Sequence, residues 1–292
     1  YTGLPATEIL KTGRRAVGVL LAGQDRNGAP RRVEVRAKSV VVAAGSLLTP
    51  LLLQLTGVDL PWLGRNLSIH PAYGALAMFE ESMDEPWNTI PQGYFVDGLA
   101  DDRIRYEGYY STPPMSASTS PFRGPELTHW MDQWDKVGQF GFMVRDTGVG
   151  SVTMGPNARP LIRYSLTPRV IQSLRAGSAV LAEMLLRGGA TEVASLIEGV
   201  GTVTDVHQAR AIAKMDLGPR HFRTMGFHPL GTARMSNSPD NGVVDFEHRV
   251  FGYENLFVAD GSCVPTSLGV NPQVTIMAMA LHAAECIAAD FE

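Results

Sequence analysis

The sequence lacks the patterns by which several functional classes are recognised. Its 292 residues include 25 basic and 29 acidic side chains, a net charge of −4. The basic excess of nucleic-acid-binding proteins is therefore missing. No stretch approaches the roughly 18 uncharged apolar residues of a membrane-spanning helix. We expect neither a nucleic-acid partner nor a membrane span.

Cysteine is scarce, and its placement excludes two further kinds of site. Cys263 and Cys286 stand in neither a C-x-x-C pair nor a zinc-ligand spacing. The sequence therefore predicts no disulfide framework and no metal site. It also favours a reducing, cytoplasmic location.

Common catalytic motifs are absent as well. The sequence contains no G-x-S-x-G, no H-E-x-x-H, no Walker A motif and no G-x-G-x-x-G loop. Two glycine-rich stretches, GVGSVTMG and GVGTVT, lack the spacing of a nucleotide loop and indicate turns. The chain opens at Tyr1 without a methionine or a signal peptide. We expect an N-terminal portion of the protein to be missing from it.

A buried strand followed by a helix indicates an α/β region. The apolar run Val40–Ala44 is typical of a parallel strand buried on both faces. Gly45 ends it, and a helix is predicted with Thr49 as N-cap, Pro50 at the first helical position and Gly57 past its end. This order of elements is that of an α/β domain.

The rest of the chain changes character twice. Residues 80–165 combine short strand signals with long loops, as in an α+β region, and helical spacing extends from Leu166 to Arg187. The last helix, NPQVTIMAMALHAAECIAADF, is predicted with Asn271 as N-cap and Pro272 at its first position. Because it is apolar nearly all round, we expect it to be buried.

Three features near the C-terminus are candidates for chemistry. His228 stands in the irregular stretch GFHPLGTARM. Asp260 and Gly261 end an apolar strand, at the edge where α/β sheets bind ligands. Asn271 precedes a helix N-terminus, which favours anions. Each has a structural alternative (a packed histidine, a turn, an N-cap), and only their occurrence together in one segment favours a site.

These stretches resemble the glucose–methanol–choline (GMC) oxidoreductases, a family of FAD-dependent enzymes. The segment from FHPLGTARM to SLGVNPQVTIMAMALHAAE is similar to the family's C-terminal signature, and GSLLTPLLLQLTGV to its second signature. In the second, Thr56-Gly57 replaces Ser-Gly and Asp59 stands where glycine is usual. The variants of these motifs look closest to the long-chain alcohol oxidase branch.

The resemblance implies a reaction and a set of residues. An alcohol would pass a hydride to flavin N5 while His228 takes the hydroxyl proton and the Asn271 amide orients the oxygen. The family's FAD contacts carry over to Ala6 at the adenine, Asp260 and Gly261 at the ribityl and pyrophosphate, and Pro272 and Gln273 at the pyrimidine ring. The carboxylate of Asp260 would accept hydrogen bonds from the sugar-type chain.

The resemblance also implies a fold with one part absent. We expect an α/β flavin-binding domain, incomplete because its N-terminal Rossmann part is absent, and an α+β substrate domain built on an antiparallel sheet. The expected boundaries are 1–68 and 220–292 for flavin binding and 69–219 for substrate. The missing segment would come from the same gene or a second chain, and this chain alone would bind FAD poorly and be inactive.

The expected substrate is a small-molecule alcohol, aliphatic or sterol-like because of the apolar middle region. Two alternatives stay open. The chain could be a catalytically silent fragment or subunit that needs a partner chain. It could also belong to a carbohydrate dehydrogenase of the same family that uses a quinone or haem acceptor.

Overall fold

The computed structural model describes residues 2–83, 93–96, 103–148 and 150–291. The strands in these ranges are β1 (Ala6–Thr12), β2 (Arg15–Gln24), β3 (Pro30–Arg36), β4 (Val40–Val42), β5 (Arg65–Leu67), β6 (Ala72–Met78), β7 (Phe95–Val96), β8 (Ile104–Gly108), β9 (Val137–Val144), β10 (Gly150–Met154), β11 (Pro160–Arg163), β12 (Glu192–Ala194), β13 (Thr202–Val203) and β14 (Leu256–Val258). The helices are α1 (Gly45–Leu55), α2 (Pro113–Thr119), α3 (Gly124–Asp132), α4 (Pro168–Arg187), α5 (Val206–Ala211) and α6 (Gln273–Ala289).

The chain divides into two compact units that differ from the expected domains. Unit 1 comprises Tyr1–Ile69, Thr147–Ser165 and His228–Glu292, and unit 2 comprises His70–Asp146 and Leu166–Phe227. Two boundaries predicted from the sequence, at 68/69 and 219/220, therefore shift to 69/70 and 227/228. The segment 147–165 moves from the expected substrate domain into unit 1.

Long-range strand pairing explains these shifts. Strand β10 pairs with β5, so the segment that contains it joins unit 1. Residues 220–227 join unit 2 because Met225 and Ala72 exchange two main-chain hydrogen bonds of 2.8 and 3.1 Å. Pairings between residues so far apart in sequence leave no local pattern.

Unit 1 contains the predicted parallel strand. Strands β4 and β14 pair in parallel with Leu256 opposite Val40, while β1–β2–β3 and β11–β10–β5 form antiparallel sheets. The expectation that β4 is buried on both faces is wrong, since Val41 is 46% exposed. Its partner across the sheet, Phe257 of β14, is fully buried, so the open part of this face lies at β4.

Helix α1 begins earlier than predicted. It starts at Gly45, so the predicted N-cap Thr49 and first-turn residue Pro50 both lie inside it. Gly45 has a φ of 78°, which turns the chain directly out of the strand segment. Thr49 has a different task, because its hydroxyl accepts the Ala44 N–H at 3.1 Å.

The end of α1 is as predicted. Gly57 follows the helix with a φ of 79°. Its N–H donates to Gln54 and that of Val58 donates to Leu53, both at 3.0 Å. These two bonds form a Schellman motif, which satisfies carbonyls at the end of the helix.

Helix α6 departs from prediction in two respects. Its N-cap is Pro272, so Asn271 precedes the cap instead of forming it. The expectation of burial is also wrong, because Ala283 alone is buried in this helix. Val274, Met277 and Leu281 are 73%, 55% and 64% exposed. A helix that is apolar nearly all round is normally buried against other segments. The described residues do not bury these side chains of α6.

Unit 2 is built on the antiparallel sheet that the resemblance implied. Its strand order is β13–β12–β6–β9–β8–β7. The long predicted helix is present as α4, with Thr167 as N-cap accepting the Val170 N–H at 3.3 Å. This helix packs on one sheet face, where the Tyr106 hydroxyl donates to the Gly177 carbonyl at 3.2 Å.

Candidate active site

The stretch that carries His228 is irregular, yet hydrogen bonds from several elements hold it. The Pro229 carbonyl accepts from the Ser46 hydroxyl at 2.5 Å. Leu230 and Ser68 exchange two main-chain bonds of 2.9 and 3.1 Å, and the Thr232 hydroxyl donates to the Ser46 carbonyl at 2.7 Å. The backbone beside the imidazole is thus fixed without belonging to a helix or a sheet.

Two glycines permit the close packing of this stretch. Gly231 has a φ of 87°, and a Cβ there would lie 2.5 Å from the Asn66 carbonyl oxygen. A Cβ on Gly261 would lie 3.2 Å from Ile276 of α6 and 3.3 Å from the Pro229 oxygen. The His228 stretch, the turn after β14 and the first turn of α6 therefore meet at Gly261.

His228 is half-buried, and this burial lowers its pKa below the ordinary value. Removal of water disfavours the charged imidazolium. At neutral pH the ring is consequently uncharged and able to accept a proton, which is the state a general base requires.

The Asp260 carboxylate is occupied by the protein itself. One oxygen accepts from the Gly45 N–H at 2.9 Å and the Thr49 hydroxyl at 2.5 Å. The other accepts from the N–H and the hydroxyl of Ser262, at 2.7 and 2.5 Å. The interpretation that this side chain takes a sugar-type hydroxyl chain is not supported, because four internal donors already fill its acceptor positions. A cofactor contact at Asp260 would involve its main chain.

The N-terminus of α6 is the end of that helix at which an anionic group is favoured. The helix has no side-chain cap, and its first residue, Gln273, is exposed. The first-turn N–H groups of a helix lack helical partners and carry the positive end of its dipole. Asn271 is exposed directly before the cap.

The predicted site residues fall into two places. His228, Gly261, Pro272 and Gln273 belong to segments that meet near Gly261. Ala6 begins β1 in the separate antiparallel sheet and pairs there with Leu21.

The sequence interpretation missed three residues of this network, whose roles depend on contacts distant in sequence. They are Ser46, Thr49 and Thr232. Thr49 and Thr232 stand at the threonine positions of the G-x-x-x-T-P and H-P-x-G-T motifs, which could have drawn attention to them, whereas no sequence signal marks Ser46.

Other site types find no support in the part of the chain that the structure describes. No group of three His, Cys, Asp or Glu side chains is placed to hold a metal ion there. Both cysteines are free thiols.

No helix among the described residues is long and apolar enough to span a bilayer.

Comparison with known families gives two matches along the chain. The C-terminal GMC oxidoreductase model matches residues 146–280, and the N-terminal model of the same family matches residues 1–72. The expected absence of the N-terminal flavin-binding part is not confirmed, because that model matches the start of the chain.

Curated relatives and a solved structure agree with this match. An uncharacterized GMC-type oxidoreductase of Mycobacterium tuberculosis is 33% identical, over 95% of this chain and 43% of the relative. A long-chain-alcohol oxidase of Arabidopsis thaliana is 27% identical, over 91% of this chain and 38% of the relative. The chain spans less than half of either relative.

The fold is shared with pyridoxine 4-oxidase from Mesorbium loti. The TM-score is 0.71 at 22% identity, covering 97% of this chain and 56% of the other. The chain thus has the GMC fold, with flavin-binding and substrate domains. Given both family-model matches and these relatives, the chain belongs to the GMC oxidoreductases, a family of FAD-dependent flavoproteins.

Proposed function

We propose that this chain supplies the base and the flavin-facing surface of an FAD-dependent alcohol oxidoreductase. The observation that carries the proposal is His228, a half-buried imidazole with a lowered pKa on a backbone held from several elements. A base needs both the unprotonated state and a fixed position.

The chain's residues fit the isoalloxazine part of FAD. The uncapped α6 N-terminus, with Pro272 and Gln273, suits the ring system when it carries negative charge after reduction. The main chain of Asp260–Gly261 would lie along the ribityl chain and Ala6 at the adenine. Bound FAD supplies the acceptor for the hydride that leaves the alcohol carbon.

The chain's own residues handle the alcohol oxygen. His228 accepts the hydroxyl proton as the carbon–oxygen double bond forms, and the Asn271 amide donates a hydrogen bond to that oxygen. Asn271 has no proton to lose in this pH range, so proton transfer rests on His228. The alcohol loses one proton and one hydride, which balances its oxidation to a carbonyl.

A polypeptide segment outside this sequence would complete the flavin site. Val41 on a two-stranded parallel sheet is exposed, as are Val274, Met277 and Leu281 along one side of α6. Parallel sheets occur with both faces covered, and apolar patches of this kind mark interfaces. We propose that an α/β segment with a G-x-G-x-x-G loop, from the same gene or a second chain, covers them and holds the pyrophosphate.

The proposed substrate is an aliphatic or sterol-like alcohol. The similarity to a long-chain-alcohol oxidase supports the aliphatic choice. A carbohydrate substrate with a quinone or haem acceptor is the competing assignment within the family.

Anaerobic mixing with alcohols tests this function in the complete gene product. A long-chain primary alcohol or a sterol should bleach the flavin absorbance, and admission of oxygen should restore it with formation of hydrogen peroxide. Bleaching by sugars without peroxide would favour the carbohydrate dehydrogenase. A flavin that stays oxidised with every alcohol would contradict the proposal and favour a catalytically silent chain.

A further inference from the structure

The first turn of α1 contains a carbonyl that its own helix cannot satisfy. In an α-helix the carbonyl of residue 46 accepts the N–H of residue 50. That residue is Pro50, which has no N–H. The Thr232 hydroxyl takes the vacant position and donates to the Ser46 oxygen at 2.7 Å. Ser46 and Thr232 are buried, with 3% and 0% exposure.

Ser46 also holds the other end of the same stretch. Its hydroxyl donates to the Pro229 carbonyl at 2.5 Å. Ser46 is thus hydrogen-bonded to the chain at Pro229 and again at Thr232, directly after His228. We call these two hydrogen bonds the Ser46 clamp.

The clamp is itself anchored. The residues on either side of it along α1, Gly45 and Thr49, both donate to the Asp260 carboxylate, at 2.9 and 2.5 Å. The start of α1 is therefore tied to the end of β14. The clamp therefore connects the His228 stretch to a part of α1 that is itself held in place.

We propose that Ser46 is a positioning residue for His228, acting through the Pro229 carbonyl and the Thr232 hydroxyl. This inference rests on the proposed function, in which His228 is the base. A displacement of about 1 Å at a reacting group costs up to about 100-fold in rate. Loss of the clamp therefore affects the rate of oxidation more than alcohol binding.

A matched pair of substitutions separates positioning from burial. Ser46→Ala removes the clamp hydroxyl. Ser68→Ala is the same change at a serine that is 1% exposed and whose main chain also contacts the stretch at Leu230. The Ser68 hydroxyl has no hydrogen-bond partner among the residues described. The two variants differ in the hydrogen bond lost, and little in burial.

Three measurements report on the clamp. In this chain, NMR relaxation of the Leu230 and Gly231 amides should show order parameters falling from about 0.85 towards 0.6 in Ser46→Ala. The His228 titration midpoint should rise as the ring gains water. In the complete flavoprotein, kcat should fall about tenfold with KM within about twofold. Ser68→Ala should match the unmodified protein in all of these.

A second pair covers the case in which Ser46→Ala does not fold. Thr232→Val removes the hydroxyl at nearly constant shape, and Thr232→Ser restores it. The valine variant should reproduce the loss of order and of kcat, and the serine variant should recover both. Recovery by serine is the result that a general packing role would not give.

The inference is overturned if Ser46→Ala or Thr232→Val lowers only the melting temperature. Amide order, His228 titration and kcat would then stay as in Ser68→Ala. Failure of the proposed function is a separate outcome. If the unmodified flavoprotein is not reduced by alcohols, the NMR comparison still decides whether Ser46 fixes the stretch.

Discussion

Replacement of Asp260 by asparagine should loosen the support on which the candidate site is built. Its carboxylate accepts four hydrogen bonds, from Gly45, Thr49 and Ser262. In asparagine an NH2 group, which is a donor, replaces one of the two oxygens. The two groups that donated to that oxygen then face a donor and lose their acceptor. Either way round, a main-chain N–H, which cannot turn away, loses its acceptor.

The expected cost follows from those bonds. Hydrogen bonds to a charged acceptor contribute about 1.5–3 kcal/mol each. Two are lost in Asp260→Asn, and rotation of one hydroxyl recovers part of the energy. We therefore expect the variant to be destabilised locally by about 3 kcal/mol. Since about 1.4 kcal/mol is a factor of ten, amides at Gly45 and Ser262 should exchange roughly 100-fold faster.

Hydrogen–deuterium exchange of those two amides is the assay. Asp25→Asn is a suitable control, because Asp25 also accepts main-chain N–H groups, from Asn27 and Ala29, but in an exposed turn. It should leave exchange at Gly45 and Ser262 unchanged. Unaltered exchange in Asp260→Asn would refute the reasoning and return the carboxylate to the role of a cofactor ligand.

Three further predictions concern titration, backbone strain and the uncovered helix. An NMR titration should give His228 a pKa below the ordinary value of about 6.5. Because the unfolded chain binds the proton more readily than the folded chain, the free energy of unfolding should decrease as the pH falls through about 6.5 towards the folded pKa of His228. Gly231→Ala should lower the free energy of unfolding in urea by at least about 2 kcal/mol, because of the positive φ and the contact with Asn66. Gly189→Ala should cost less, since φ there is 97° but no atom lies within 4 Å of the added Cβ. Equal costs would show that the close approach at Gly231 does not matter. Leu281→Glu should change the free energy of unfolding by less than about 0.5 kcal/mol, since the side chain is 64% exposed. It should weaken binding of the proposed α/β segment in a pull-down. Undiminished binding would place the interface elsewhere.

Local signals in the sequence predicted local structure well. Gly57 follows the end of α1 as expected, and α4 ends at Arg187 as its helical spacing predicted, because helix ends depend on neighbouring residues. The same rules misplaced the start of α1 at Pro50. There a positive φ at Gly45 and the contact to Asp260, 215 residues away, decide the geometry.

Properties that depend on distant segments could not be predicted from the sequence. The burial expected for α6 and Val41 presupposed neighbours that the described residues do not include. Strand β10 belongs to unit 1 because it pairs with β5, and no residue near β10 in the sequence indicates that pairing. At the site, residue types pointed to the His228 stretch, whose catalytic role stays a prediction. They could not reveal that Ser46 and Thr232 fix it or that Asp260 is internally satisfied.

The base assignment is tested most directly by stopped-flow flavin reduction in the complete protein carrying His228→Ala. His207→Ala, the same change at an exposed histidine of α5, is the control. The account predicts that His228→Ala retains FAD at the same stoichiometry but reduces it at least about 100-fold more slowly with alcohol, while His207→Ala behaves as the unmodified protein. Reduction of the His228→Ala flavin at the unmodified rate would contradict the central claim.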